Sequence, residues 1–136
     1  MGGAAAEADF GGIAARLARL AERLDRDAVL LRRGRILSAT CQLIVGADSF
    51  LLRIVDGRIH GVRHGPFVTP SADFAIAGEL AIWHRFLAAS PPPGDHDLLA
   101  FVKRRELQIT GDLHPLMSHL LYWKGLFAHL RAEPAR

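Results

Sequence analysis

The chain has little of several things that would settle its function early. A single cysteine, Cys41 in 136 residues, excludes an internal disulfide and a cysteine-built zinc site. It falls on the apolar side of an alternating segment, so a buried, inert thiol is expected. No apolar run reaches the roughly 18 residues that a membrane-spanning helix needs. The start, Met1-Gly-Gly-Ala-Ala-Ala-Glu-Ala-Asp9, lacks the basic head and apolar centre of a secretory leader. Position 6 is Ala, where a myristoylation signal after Gly2 would carry Ser or Thr. The expectation is a soluble, cytoplasmic protein. Aromatic residues are only 7% of the chain, and no compact segment combines a dense basic face with interleaved rings, so nucleic-acid binding is not expected. His-Glu-x-x-His, Gly-x-Ser-x-Gly and glycine-rich phosphate loops are all missing, which removes the common metalloprotease, esterase and nucleotide-binding signatures.

What is present is apolar content, at half of all residues, with a mild basic surplus of +3 and a pI near 9.7. That surplus suits transient contact with anionic head groups. Residues 1–12 are small and expected to be flexible, residues 13–131 form one domain, and 132–136 are a tail. Ile13, Leu17, Leu20 and Leu24 make a narrow helical stripe, with Arg16, Arg19, Arg23 and Arg26 on other faces. The Ile13–Asp25 helix reads as packed on a sheet with a charged back, or as a membrane- or partner-docking helix. Gly34 is the expected stop. Leu37, Ala39, Cys41, Leu43 and Val45 alternate with polar residues as a half-buried strand. Phe50, Leu52 and Ile54 repeat the pattern, and Asp56-Gly57 is a strong hairpin signal into a third strand over 58–63.

Phe74 and Ile76 mark a fourth strand, and Glu79 to Ala89 a helix that Pro91-Pro92-Pro93-Gly94 ends. The densest stretch runs from Asp97 to Asp112. Asp95 or Asp97 can cap a short helix to Arg104, Leu107 to Thr110 is a fifth strand, and Thr110-Gly111-Asp112 delivers it onto a final helix. Gly111 can take positive φ there, and Asp112 can accept from the first free amides. Ala72-Asp-Phe-Ala-Ile-Ala-Gly78, followed by an apolar helix and Arg104-Arg105-Glu106-Leu107-Gln108-Ile109-Thr110-Gly111-Asp112, resembles the sterol-carrier-protein-2 (SCP-2-like) lipid-transfer family. The resemblance spans about 50 residues well, and about 90 with the hairpins from Arg35. It implies an α+β fold, a single five-stranded, mainly antiparallel sheet covered on one face by helices, with an apolar tunnel between them. It also implies carriage of sterols, acyl chains or isoprenoids without chemistry, and the last motif is similar to bacterial accessory proteins of ubiquinone biosynthesis. The three prolines of the crossover depart from the family pattern.

The last helix, expected from Leu113 to about Leu130, is apolar around much of its girth. It is read as the roof of an apolar cavity, with a homodimer contact or plain core as alternatives. The residues expected to hold ligand are Phe74, Ile76, Trp83, Phe86, Leu87, Phe101, Leu107, Ile109, Met117, Leu120 and Leu121, acting by burial with no cofactor. The rival is an enzyme using the same cavity, with His84 and Glu79, or His114, as acid and base. His60 and His64, four apart on a strand, are expected to share a face but to lie on the order of 13 Å apart, too far for one metal ion.

Overall fold

The alternation read from residues 37–55 becomes real burial. In β1 (Ala39–Val45) Ala39, Cys41, Leu43 and Val45 are buried, while Thr40, Gln42 and Ile44 are half-buried on the other face. The chain turns at Gly46, with φ 62°, into β2 (Asp48–Val55), antiparallel to β1. Asp56 and Gly57 then take φ 52° and 78°, the pair of positive values that a tight hairpin turn requires, and β3 (Arg58–His64) follows. The computed structural model describes residues 3–67 and 71–132, with side chains described from residue 12.

β4 (Phe74–Gly78) lies on the far side of β1 and runs parallel to it, with Cys41 beside Phe74 and Leu43 beside Ile76. β5 (Gln108–Gly111) closes the edge antiparallel to β4, so the order is β3-β2-β1-β4-β5. The expected five-stranded, mainly antiparallel sheet is therefore present, with one parallel pair at its centre. Asp73 starts that pair by accepting from the Thr40 amide at 2.7 Å. A bulge at Arg53/Ile54 corrects the histidine expectation. His60 opens with Arg53 and Arg63 on the sheet's back, whereas His64 stacks on core-facing Phe50 at 4.6 Å.

Helices cover the other face. α1 (Gly3–Asp25) starts well before Ile13, so the flexible N-terminus expected over 1–12 is helical from Gly3. The Ala4-Ala5-Ala6-Glu7-Ala8 run favours helix and extends the turns that the apolar stripe anchors. Ile13, Leu17, Leu20 and Leu24 are all at most 2% exposed, so the stripe is spent inside the core. Asp27 breaks the helix and restarts it: its carboxylate accepts from the Leu30 amide at 3.0 Å and caps α2 (Ala28–Arg33), which ends at Gly34.

α3 (Leu80–Phe86) and α4 (Leu98–Lys103) flank the proline break, and Asp97 caps α4 through the Leu99 amide. Gly111 takes φ 97° and Asp112 accepts from the His114 amide, as the strand-to-helix joint requires. The final helix is two helices, α5 (His114–Met117) and α6 (Leu120–His129). The break falls at Ser118 and His119: the Ser118 hydroxyl donates to the His114 carbonyl at 2.7 Å beside the Ser118 amide, and His119 leaves the helical conformation with φ −131° and ψ 41°. Arginines tie the far ends together. Arg16 and Arg23 donate to the Leu130 and His129 carbonyls at the end of α6, each at 2.8 Å, where a cation also meets the negative end of the helix dipole.

Candidate functional site

Between the sheet and the helices the apolar side chains converge on Phe86. Its ring meets Trp83 at 6.1 Å, Phe101 at 5.3 Å and Phe127 at 5.4 Å, all edge-on. Phe74 of β4 meets Trp123 edge-on at 5.2 Å, and Trp123 reaches Tyr122 at 5.7 Å and Phe127 at 6.3 Å. These spacings are those of favourable aromatic pairs. At these positions the space between sheet and helices is occupied by rings.

Seven of the eleven residues expected from the sequence belong to this one core, each at most 2% exposed: Phe74, Ile76, Trp83, Phe86, Leu87, Phe101 and Leu107. Ile109 is half-buried against it, and Leu120 is half-buried at the start of α6. Met117 and Leu121, expected to line the interior, stand outside at 52% and 59% exposed. The reason is helical phase. Tyr122, Trp123, Leu126 and Phe127 take the inward arc of α6, which leaves Leu121 about a quarter-turn beyond Tyr122 on the outer stripe with Lys124 and Ala128. Tyr122, Trp123 and Phe127 were visible in the sequence as apolar girth, but nothing in it ranked them above their neighbours.

The polar atoms of this core are already in use. The Trp83 indole donates to the Ile44 carbonyl at 2.8 Å, the Trp123 indole to the Pro115 carbonyl at 3.1 Å, and the Tyr122 hydroxyl to the Gly57 carbonyl at 2.7 Å. Burial holds the Tyr122 phenol above its ordinary range, and Cys41, fully buried, has its thiol pushed well above the usual value by the same desolvation. A thiol so placed is inert as a nucleophile, as the alternation suggested. The interior can bury apolar matter and offers no poised acid or base among these groups.

The residues considered for catalysis are not assembled by this core. Glu79, at the N-cap of α3, opens on a cleft of about 600 Å³ with Ile44, Ala77, Ile82, Arg105 and Gln108, at the ends of β1 and β4. His84 lies five residues on, roughly 140° around an ideal helix, and outside that lining. His114 is exposed at the start of α5. Among the described residues no three of His, Cys, Asp and Glu lie close enough to hold a metal ion, and no helix is long and apolar enough to cross a membrane.

A charged clamp that sequence reasoning missed fixes Phe101. Asp95, only 7% exposed, accepts from Arg85 at 3.3 Å and from Arg104 at 3.0 Å, and both arginines also reach Glu106. The two guanidinium groups lie over the Phe101 ring, 5.4 and 4.6 Å from its centroid. Hydrogen bonds from Arg104, then Arg85, hold the Glu106 carboxyl below its ordinary value. The four charges are scattered over 22 positions of sequence around a proline loop, so no local pattern announces them.

This arrangement superimposes on solved structures. A crystal structure of sterol carrier protein 2 matches 88% of this chain and 96% of its own at 18% identity, with a TM-score of 0.71. The chain has the SCP-2-like fold. A conserved hypothetical protein of Thermus thermophilus, suggested to be a sterol carrier protein, matches 89% of the chain and 90% of its own at 16% identity and a TM-score of 0.66. The UbiJ-SCP2 ubiquinone synthesis protein matches 88% and 95% at 17% identity and 0.58. The SCP-2-like fold also occurs inside an enzyme, as 16% of a stereoselective inverting sec-alkylsulfatase from Pseudomonas sp., with a TM-score of 0.54. No sequence-family model and no curated protein matches the chain.

Proposed function

We propose that the chain binds and carries a hydrophobic lipid, isoprenoid, sterol-like or fatty acyl, without changing it chemically. The observation that supports this most is the SCP-2-like fold over 88% of the chain, built here around an aromatic interior whose polar atoms are committed to backbone carbonyls. In this reading Phe74, Ile76, Trp83, Phe86, Leu87, Phe101 and Leu107 give way to an alkyl or prenyl chain, exchanging ring-on-ring for ring-on-chain contact. Each buried CH₂ then contributes about 0.8 kcal/mol. Ile109 and Leu120 border the chain, and Met117 and Leu121, at the α5–α6 elbow, form the mouth. The likeness to the UbiJ-SCP2 protein supports a narrower role, presenting an intermediate of a ubiquinone-type lipid to the enzymes that modify it.

Both tryptophans of the chain sit in this interior, so intrinsic fluorescence reports on it directly. The test is native mass spectrometry of the protein purified from cells, followed by titration of the delipidated protein with prenyl, sterol and acyl probes. Co-purified lipid, and a tryptophan change saturating at one probe per chain, are expected. No lipid and no change with any probe class would sink the carrier reading. An enzyme using His84 and Glu79 predicts instead that His84→Ala abolishes turnover, whereas carriage predicts unchanged lipid retention.

A further inference from the structure

We propose that the surface where the α2–β1 link meets the α5–α6 elbow docks on an anionic lipid bilayer. Three large apolar side chains protrude there: Ile36 at 78% exposed, Leu121 at 59% and Met117 at 52%. Ile36 is turned outward while its neighbour Leu37 is buried at 3%, so the strand-entry geometry presents it to solvent. Arg32, Arg33, Arg35 and Ile36 share a groove of about 420 Å³ with Ser118 and His119, which places the basic link directly against the elbow that carries Met117 and Leu121. Gly125 packs on Leu30, so the outer stripe of α6, with Leu121 and Lys124, runs beside α2.

Charge decides the occupant. Arg16, Arg85, Arg104 and Arg131 are each taken by a carbonyl or a carboxylate, but Arg32, Arg33 and Arg35 make no ion pair among the described residues. Residues 28–37 and 113–132 contain no Asp or Glu. Of the carboxylates near this region, Asp27 is engaged by His129 at 2.8 Å and by the Leu30 amide. Asp27 also acts electrostatically on Arg33, and Asp56 lies in the turn packed on Gly34, so these two carboxylates are set against three arginines and leave the face basic. Separated apolar tips inside a ring of cations match a bilayer interface, where tips enter the acyl boundary and cations meet phosphates. A second copy of the chain fits less well, because a two-fold contact would bring the same arginines face to face. The Ile13–Asp25 helix, expected to make any membrane contact, has its apolar stripe inside the core and cannot supply these tips.

This face stands on its own residues and does not require a lipid in the interior. The test is co-sedimentation of the full chain with vesicles of phosphatidylcholine alone, or with about one-third phosphatidylserine, at about 0.1 M salt. Binding to the anionic vesicles only is expected, falling about fivefold per arginine and roughly hundredfold in Arg32→Gln/Arg33→Gln/Arg35→Gln. Ile36→Asp should also lose binding. A control that removes the same charge elsewhere, Arg19→Gln/Arg53→Gln/Arg63→Gln, should keep most of it. Equal loss in both triple variants would assign the effect to net charge and overturn the docking face, as would binding to neither vesicle. A dimer in lipid-free buffer that Ile36→Asp dissolves would give the face to a second copy instead. Probe retention in solution should be unchanged by the Arg32/Arg33/Arg35 variant, so failure of carriage and failure of docking are read separately.

Discussion

The Tyr122 hydroxyl donates to the Gly57 carbonyl while its ring lies against Gly34, so one side chain of α6 joins the end of α2 to the β2–β3 turn. A Cβ on Gly34 would stand 2.4 Å from that ring and 3.0 Å from the Gly57 Cα. Tyr122→Phe should cost about 1–2 kcal/mol, since the buried Gly57 carbonyl then loses its partner. Gly34→Ala should cost at least as much, about 1–3 kcal/mol, by overpacking. Urea unfolding midpoints check both, and a neutral Gly34→Ala would show that the close approach is absent.

Asp27 couples stability to acid. The hydrogen bond from His129 and then the Leu30 amide hold its carboxyl below the ordinary value. A depressed folded value means that its contribution is full above the unfolded carboxylate pKa, near 4, and is lost as pH falls through the folded value. Asp27→Ala should therefore lower stability by about 1 kcal/mol at neutral pH, the usual worth of an N-cap. The gap from wild type should shrink below about pH 4. A gap that stays constant into strong acid would count against the pairing.

Cys41 should not react with a thiol reagent in the native state at about pH 8, because it is fully buried and its thiolate is strongly disfavoured. Labelling should follow opening of the sheet and accelerate with denaturant. Reaction at the rate of a free thiol in the native protein would place Cys41 somewhere other than the β1 core face.

The elbow between α5 and α6 is pinned by the Trp123 indole on the Pro115 carbonyl. Trp123→Phe keeps an apolar ring and removes that bond. Amide exchange at residues 114–119 should quicken, and lipid probes should enter several-fold faster, with affinity changed less than rate. Stopped-flow fluorescence from Trp83 reads the rate, and an unchanged rate alongside quickened exchange would move the mouth away from this elbow.

The sheet was legible because its signals are local. Alternation in Leu37–Val45, the Asp56-Gly57 turn, and Gly111 followed by Asp112 each specify geometry within a few residues, and each appears as read. The seven buried interior residues were legible for the same reason, since period alone separates inward from outward. What escaped depends on tertiary competition. A helix whose apolar pattern runs straight through Ser118 and His119 breaks there, Asp27 both ends and starts one, and a bulge moves His60 off the face of His64. The Asp95 clamp and the arginines that cap α6 join residues far apart in sequence, where spacing carries no information.

The parallel pairing of β1 with β4 also sets an order of assembly. The meander of β1, β2 and β3 closes through two tight turns, whereas β4 can add to β1 only after nearly thirty intervening residues have been looped back, a slower and entropically dearer step. Refolding should thus pass through a stage in which the N-terminal half is templated and the aromatic rings of the C-terminal half are still undocked. During that interval α1 already covers its share of the nascent sheet face, and the share that α5 and α6 cover stays open until the chain's own last helix docks.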